Sequence, residues 1–189
     1  RIRAGIGALP TELTSDDAGR PARGMMTTDT VPKLAEATIA GSTARVVGMA
    51  KGVGMIEPDM ATHISLLFTD AELTSAELDA AFRRVVDRTF NCVSVDTDTS
   101  TSDSSVIMAS GAAGPVDLGA FEAALYEVAL DLTKQIARDG EPLLEPGPVG
   151  RAHLVDVRGH RGIRGEMVGE HRQQAVAEVG DSAGFHLEV

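Results

Sequence analysis

Apolar residues recur at helical spacing in two stretches of the chain and at strand spacing in four. Leu78, Ala81, Phe82, Val85 and Val86 fall on one side of a 3.6-residue period, with Arg83, Arg84 and Asp87 opposite. Thr74 and Glu77 precede them at the spacing of a capping box, which predicts a helix over about 75–89. Leu118, Phe121, Leu125, Val128, Leu132 and Ile136 form a second stripe. Asp117 can cap its start, Lys134 and Arg138 suit the negative end of its dipole, and Gly140 ends it. Short β-branched or apolar runs at 44–50, 63–68, 92–96 and 105–110 read as strands. Strands of nearly continuous apolar content, joined by two helices that pack on them, predict a layered core, α+β or else α/β, and not a bundle or a sandwich.

After Glu141 the pattern breaks. "PLLEPGPVG" opens a segment that holds four of the five histidines (His153, His160, His171 and His186) and no lysine. "HLVDVRG" reads as a strand and "QQAVAEV" as a piece of helix, with no supporting periodicity around either. Residues 1–141 are therefore expected to carry the fold and 142–189 to be a divergent, weakly structured tail. An abrupt change to an Arg-, His-, Gly- and Val-rich composition is what a frameshift in a GC-rich gene would produce.

Composition narrows the classes. The 189 residues are 43% hydrophobic, enough for one sizeable core, and the net charge of -11 repels phosphate backbones, so nucleic acid is not an expected partner. No apolar run reaches the roughly twenty residues of a membrane helix, and no signal pattern opens the chain; a membrane is not expected and the cytoplasm is the default compartment. The lone Cys92, in an apolar run, excludes an internal disulfide and reads as a buried small hydrophobe. Beginning at Arg1, the chain reads as a processed product or a piece of a longer one.

Most candidate motifs fail on spacing. Gly48, Gly52 and Gly54 around Lys51 lack the phosphate-loop pattern and read as a tight turn. In "DTDTSTSD", Asp96, Asp98 and Ser100 occupy the first calcium-loop positions, but Thr101 stands where glycine is needed and Ile107 where the bidentate Glu belongs. The tail histidines have no ligand spacing, so no metal is expected.

Four blocks, "MMTTDTVPK" (25–33), "AKGVGMIEPDMATHISLLFTDAEL" (50–73), "RTFNCVSVDTDTSTSDSSVIMASG" (88–111) and "RDGE" (138–141), resemble, in order, the ornithine acetyltransferase family of bifunctional glutamate N-acetyltransferases. The resemblance implies part of an αββα N-terminal-nucleophile architecture and self-cleavage at Ala61–Thr62. Thr62 would be the nucleophile of the second fragment, with its freed α-amino group, of pKa about 7.7–8.0 when unperturbed, as base.

It implies acetyl transfer from N-acetylornithine to glutamate through an acetyl-threonine in arginine biosynthesis. No cofactor is needed, with acetyl-CoA an alternative donor. Thr27, Thr28, Lys51 and Glu141, together with Thr62, would contact the substrate: Lys51 suits a carboxylate, Glu141 an ammonium group. Cleaved αβ pairs associating further are the implied assembly.

Asp59, Thr97 and Ser102 stand where the family usually has asparagine, glycine and asparagine, closer to homologues from clavulanic-acid clusters. The family's oxyanion hole would lie upstream of Arg1 and its closing segment beyond any match, and losing even one oxyanion donor costs on the order of a hundredfold in rate. A non-catalytic fragment is thus one alternative. An amidase or aminopeptidase using Thr62 with water as acceptor is another.

Overall fold

The computed structural model describes residues 1–8, 18–54, 56, 63–94 and 103–140, with the backbone of 153–154. Two short helices, α1 (Ile2–Gly7) and α2 (Gly19–Met25), precede a sheet of β1 (Lys33–Thr38), β2 (Arg45–Lys51), β3 (Ile64–Glu72) and β5 (Ser104–Pro115), in the spatial order β1-β2-β3-β5. β2 runs antiparallel to both β1 and β3, whereas β3 and β5 are parallel. The crossover between those two contains α3 (Ser75–Val86), a 3₁₀ turn at Phe90–Cys92 and β4 (Val93–Ser94). Helix α4 (Leu118–Gly140) follows the sheet. β6 (His153–Leu154) pairs antiparallel with β4. The result is the mixed α+β layer expected from the pattern.

Strand periodicity decides which face is covered. On β3, Ser65, Leu67, Thr69 and Ala71 are buried, while Leu66, Phe68 and Asp70 alternate with them on the other side. α4 lies over β1 and β2, with Phe121, Leu125, Val128, Leu132 and Ile136 fully or almost fully buried. Leu118, part of the same stripe in sequence, sits at its exposed rim. Gly48 of β2 is where helix and sheet come closest: a Cβ there would stand 2.8 Å from both Leu132 Cδ1 and Val128 Cγ1.

Helix α3 packs mainly on α4 and meets the sheet chiefly at β5, so it does not cover strands as α4 does. Its capping box forms as the sequence predicts: Glu77 N–H donates to Thr74 Oγ1, and the Glu77 carboxylate accepts from Thr74 N–H. Asp117 Oδ1 accepts from Ala120 N–H at 2.8 Å, closing the start of α4.

β3 and β5 are longer than their apolar runs. Near the end of β5 the register shifts from Thr69 opposite Ala109 to Ala71 opposite Gly114, and Gly111 and Gly114 take φ of 74° and 81° to absorb the extra residues. Cys92 is buried as expected, but in the 3₁₀ turn and not in a strand, which starts at Val93.

Candidate functional site

The ends of the central strands meet on one rung. Lys51, the last residue of β2, pairs with Ile64, the first of β3, which pairs in turn with Ser104, the first of β5. The first residue of β1, Lys33, lies opposite Ala50. Three of the four resembling blocks therefore enter or leave the sheet at the same end. The fourth, carried by the end of α4, reaches it through a buried cluster.

Lys33 is the cation of that cluster. Its Nζ lies 2.7 Å from Asp29 Oδ1 and 2.5 Å from Asp139 Oδ2, with all three side chains essentially out of solvent. Asp29 also accepts from Gly52 N–H at 2.7 Å and Thr27 N–H at 3.1 Å, and Asp139 accepts from Thr30 N–H at 3.1 Å and from the Thr30 hydroxyl. Burial alone would raise both carboxyls. For Asp29 the Gly52 amide and Lys33 outweigh it, and for Asp139 Lys33 and Thr30 do, leaving both below the usual carboxylate value.

Gly52 has φ of 144°, open to glycine and costly for other residues, and this backbone turns its N–H to Asp29. Of the three glycines read as a tight turn around Lys51, Gly48 lies inside β2, whereas Gly52 follows the end of the strand, where Asp29 holds its N–H. One residue back, Lys51 is half-buried at the strand end, while Thr27 and Thr28 sit exposed on the bend before Asp29.

A second set of bonds fixes the start of β3. Asp103 Oδ1 accepts from His63 N–H at 2.8 Å, and His63 C=O accepts from Ser104 N–H at 3.1 Å. The His63 ring is 1% exposed, its centroid 4.8 Å from that of Phe90, and its Nε2 has no hydrogen-bond partner among the described residues. Desolvation, helped by the charge of Lys51, lowers its pKa to about 4, so the imidazole is neutral at physiological pH. Burial raises the Asp103 carboxyl against the opposing pull of the His63 amide and Lys51.

Thr27, Thr28 and Lys51 are thereby gathered at one end of the sheet. Ala61, Thr62 and Glu141 lie outside the described residues; their chain neighbours His63 and Gly140 belong to this end. Sequence reasoning does not single out Asp29, Lys33, His63, Asp103 and Asp139 as site residues. A signal for Lys33 exists: it is one of only three lysines in the chain, and it follows Asp29 within a resembling block. Among the described residues no cluster of three or more His, Cys, Asp or Glu could hold a metal ion.

The ArgJ family model matches residues 1–145. The chain belongs to the ArgJ family. It is 53% identical over 141 residues to the arginine biosynthesis bifunctional protein ArgJ 2 of Nostoc sp., covering 75% of this chain and 36% of that protein. It is 55% identical over 139 residues to the glutamate N-acetyltransferase Oat2 of Streptomyces clavuligerus, covering 74% and 33%. A further relative, the ArgJ bifunctional protein of Geobacillus kaustophilus, is 41% identical over 188 residues, covering 95% and 43%. The chain thus spans about a third of the length of the first two, 36% and 33%. The crystal structure of ArgJ from Bacillus halodurans superimposes with a TM-score of 0.36 at 42% identity, over 38% of this chain and 37% of that one. No described helix is long and apolar enough to cross a membrane.

Proposed function

We propose that this ArgJ chain carries the central part of an acetyltransferase of arginine biosynthesis. It moves the acetyl group of N-acetylornithine to glutamate by way of Thr62. The observation that carries the reading is the convergence of Thr27, Thr28 and Lys51 on the sheet end at which the chain of Thr62 enters β3. A threonine hydroxyl is a weak nucleophile, and cleavage of the Ala61–Thr62 bond would free an α-amino group to take its proton. Thr62 Oγ then attacks the acetyl carbonyl of N-acetylornithine, its proton passes to the leaving ornithine nitrogen, and an acetyl-threonine ester remains. The amino group of glutamate attacks that ester, forming N-acetylglutamate and restoring the hydroxyl.

Lys51 meets the α-carboxylate of the amino acid, Thr27 and Thr28 donate hydroxyl hydrogen bonds, and Glu141 takes an ammonium group. No cofactor takes part, and acetyl-CoA is an alternative acetyl donor. The compartment is the cytoplasm, and the cleaved pair assembles into a larger oligomer.

Intact mass and N-terminal sequencing of the purified chain test this. The expected products are residues 1–61 and 62–189, the second gaining an acetyl group on incubation with N-acetylornithine, while Thr62→Ala stays whole. An uncut, folded chain that takes up no acetyl group would overturn the catalytic reading and leave a non-catalytic relative.

A further inference from the structure

The Asp29–Lys33–Asp139 cluster joins segments that are far apart in sequence. Lys33 and Asp139 are separated by 106 positions, yet Asp139 and Asp29 both reach the one ammonium group in the interior. Stability is a poor account of such an arrangement, since replacing a buried ion network by apolar side chains of similar volume is often neutral or stabilising. What the charges do here is visible in their remaining hydrogen bonds. Every backbone donor they bind belongs to a segment without a ladder partner of its own: Thr27 and Thr30 on the approach to β1, and Gly52 on the turn leaving β2.

We propose that Lys33, Asp29 and Asp139 are positioning residues: a buried clamp that holds the Thr27–Thr28 bend and the Lys51–Gly52 segment at the spacing needed for both to contact one amino-acid substrate. The proposal rests on the functional reading for the ligand, and on geometry alone for the clamp. Asp29 is the joint. It binds both segments at once, and Lys33 places the opposite charge beside it in the interior. Asp139 locks Thr30 and ties the same cation to the last turn of α4, two residues before Glu141. The three carry no substrate contact; they act through Thr27, Thr28 and Lys51.

Asp29→Asn separates these roles. An amide keeps the size of the carboxylate but has one acceptor oxygen, so its NH₂ is set either against the Thr27 N–H or against the Lys33 ammonium and the Gly52 N–H together. Amide exchange and amide chemical shifts are read in the parent chain, in Asp29→Asn and Asp139→Asn, and in Val85→Ala as a destabilised control distant from the clamp. Ornithine binding is titrated in parallel. Asp29→Asn is expected to speed exchange at whichever of Thr27 and Gly52 loses its acceptor oxygen, beyond the control, by about tenfold or more and to weaken ornithine by a similar factor, charge-assisted bonds being lost. Asp139→Asn is expected to free Thr30 and leave Gly52 protected.

Thr27 and Gly52 exchanging no faster than in Val85→Ala would overturn the clamp. So would a parent that binds ornithine and an Asp29→Asn variant that binds it equally well. A parent that binds no ornithine sinks the functional reading, and the exchange rates then decide the clamp by themselves. Should Asp29→Asn fail to fold, the Thr30 and Gly52 amides in Asp139→Asn settle it: Gly52 loosening with Thr30 would contradict separate joints.

Discussion

His63 carries a cost that only pH reveals. Its ring is buried against Phe90 and its pKa is lowered to about 4, first by desolvation and then by Lys51. The unfolded chain takes up a proton near pH 6.5 while the folded one refuses it until about 4, so stability rises with pH across that window and falls on acidification through it. At about 1.4 kcal/mol per unit the loss amounts to roughly 3 kcal/mol between the two limits. Asp29 and Asp139 add nothing there: their lowered values mean that their contribution is complete above the unfolded carboxylate value of about 3.9 and disappears only below it. Urea unfolding at pH 7, 5.5 and 4.5 is expected to show the decline in the parent, and its absence in His63→Leu. A parent curve flat across this range would mean that the ring finds a partner for its charged form.

The same scale shows what sequence could not supply. Thr27, Thr28 and Lys51 stand out only through their blocks, and the partners that hold them do not stand out at all. A buried lysine has the same letter as a solvated one, and its acceptors are 4 and 106 positions away.

Among elements, legibility tracks local signals. α3 and α4 are readable because a cap and a continuous stripe act within a few residues. β1 is not, since "KLAEAT" alternates weakly and becomes a strand by pairing with β2 along six residues. As an edge strand it has a further support: the Gln135 side chain of α4 accepts from Leu34 N–H at 3.1 Å and donates to Leu34 C=O at 2.8 Å, standing in for a neighbouring strand.

From sequence, Gly48 reads only as a turn residue. In the sheet it is the place where α4 seats on β2, which makes it a test of that packing. Gly48→Ala would reduce unfolded-state entropy, a gain of about 0.4–1 kcal/mol. Against this stands a methyl group 2.8 Å from two buried side-chain carbons, one on the stiff Val128, and overpacking of this sort costs about 1–3 kcal/mol. The balance is a loss, read as a Tm lowered by about 2–4 °C per kcal/mol. An unchanged or raised Tm would show that α4 can shift outward freely.

At the scale of the whole molecule the question is how much of the fold residues 142–189 support. We propose that the unit closes at Glu141, where the compositional pattern breaks, close to the end of the family match at 145. Among the described residues beyond it, His153 and Leu154 add two rungs beside β4, with Ser94 and Val93 opposite. Val93, one of the two β4 residues paired with β6, is 1% exposed and belongs to the main core. Fully burying such a side chain contributes about 1.5–3 kcal/mol, the scale of loss expected if Val93 is what β6 shields. Among the described residues, the core of α4 against β1, β2 and β3 and the Lys33 clamp are built from positions before Glu141. A chain ending after Glu141 is therefore expected to unfold in one cooperative transition, with a Tm lower by no more than about 10 °C. Amide exchange at Gly52 and Thr27 should stay unchanged. Loss of cooperativity, or loosening of those two amides, would show instead that the tail is built into the sheet end where Thr27 and Lys51 meet, and would move the boundary of the functional unit past Leu154.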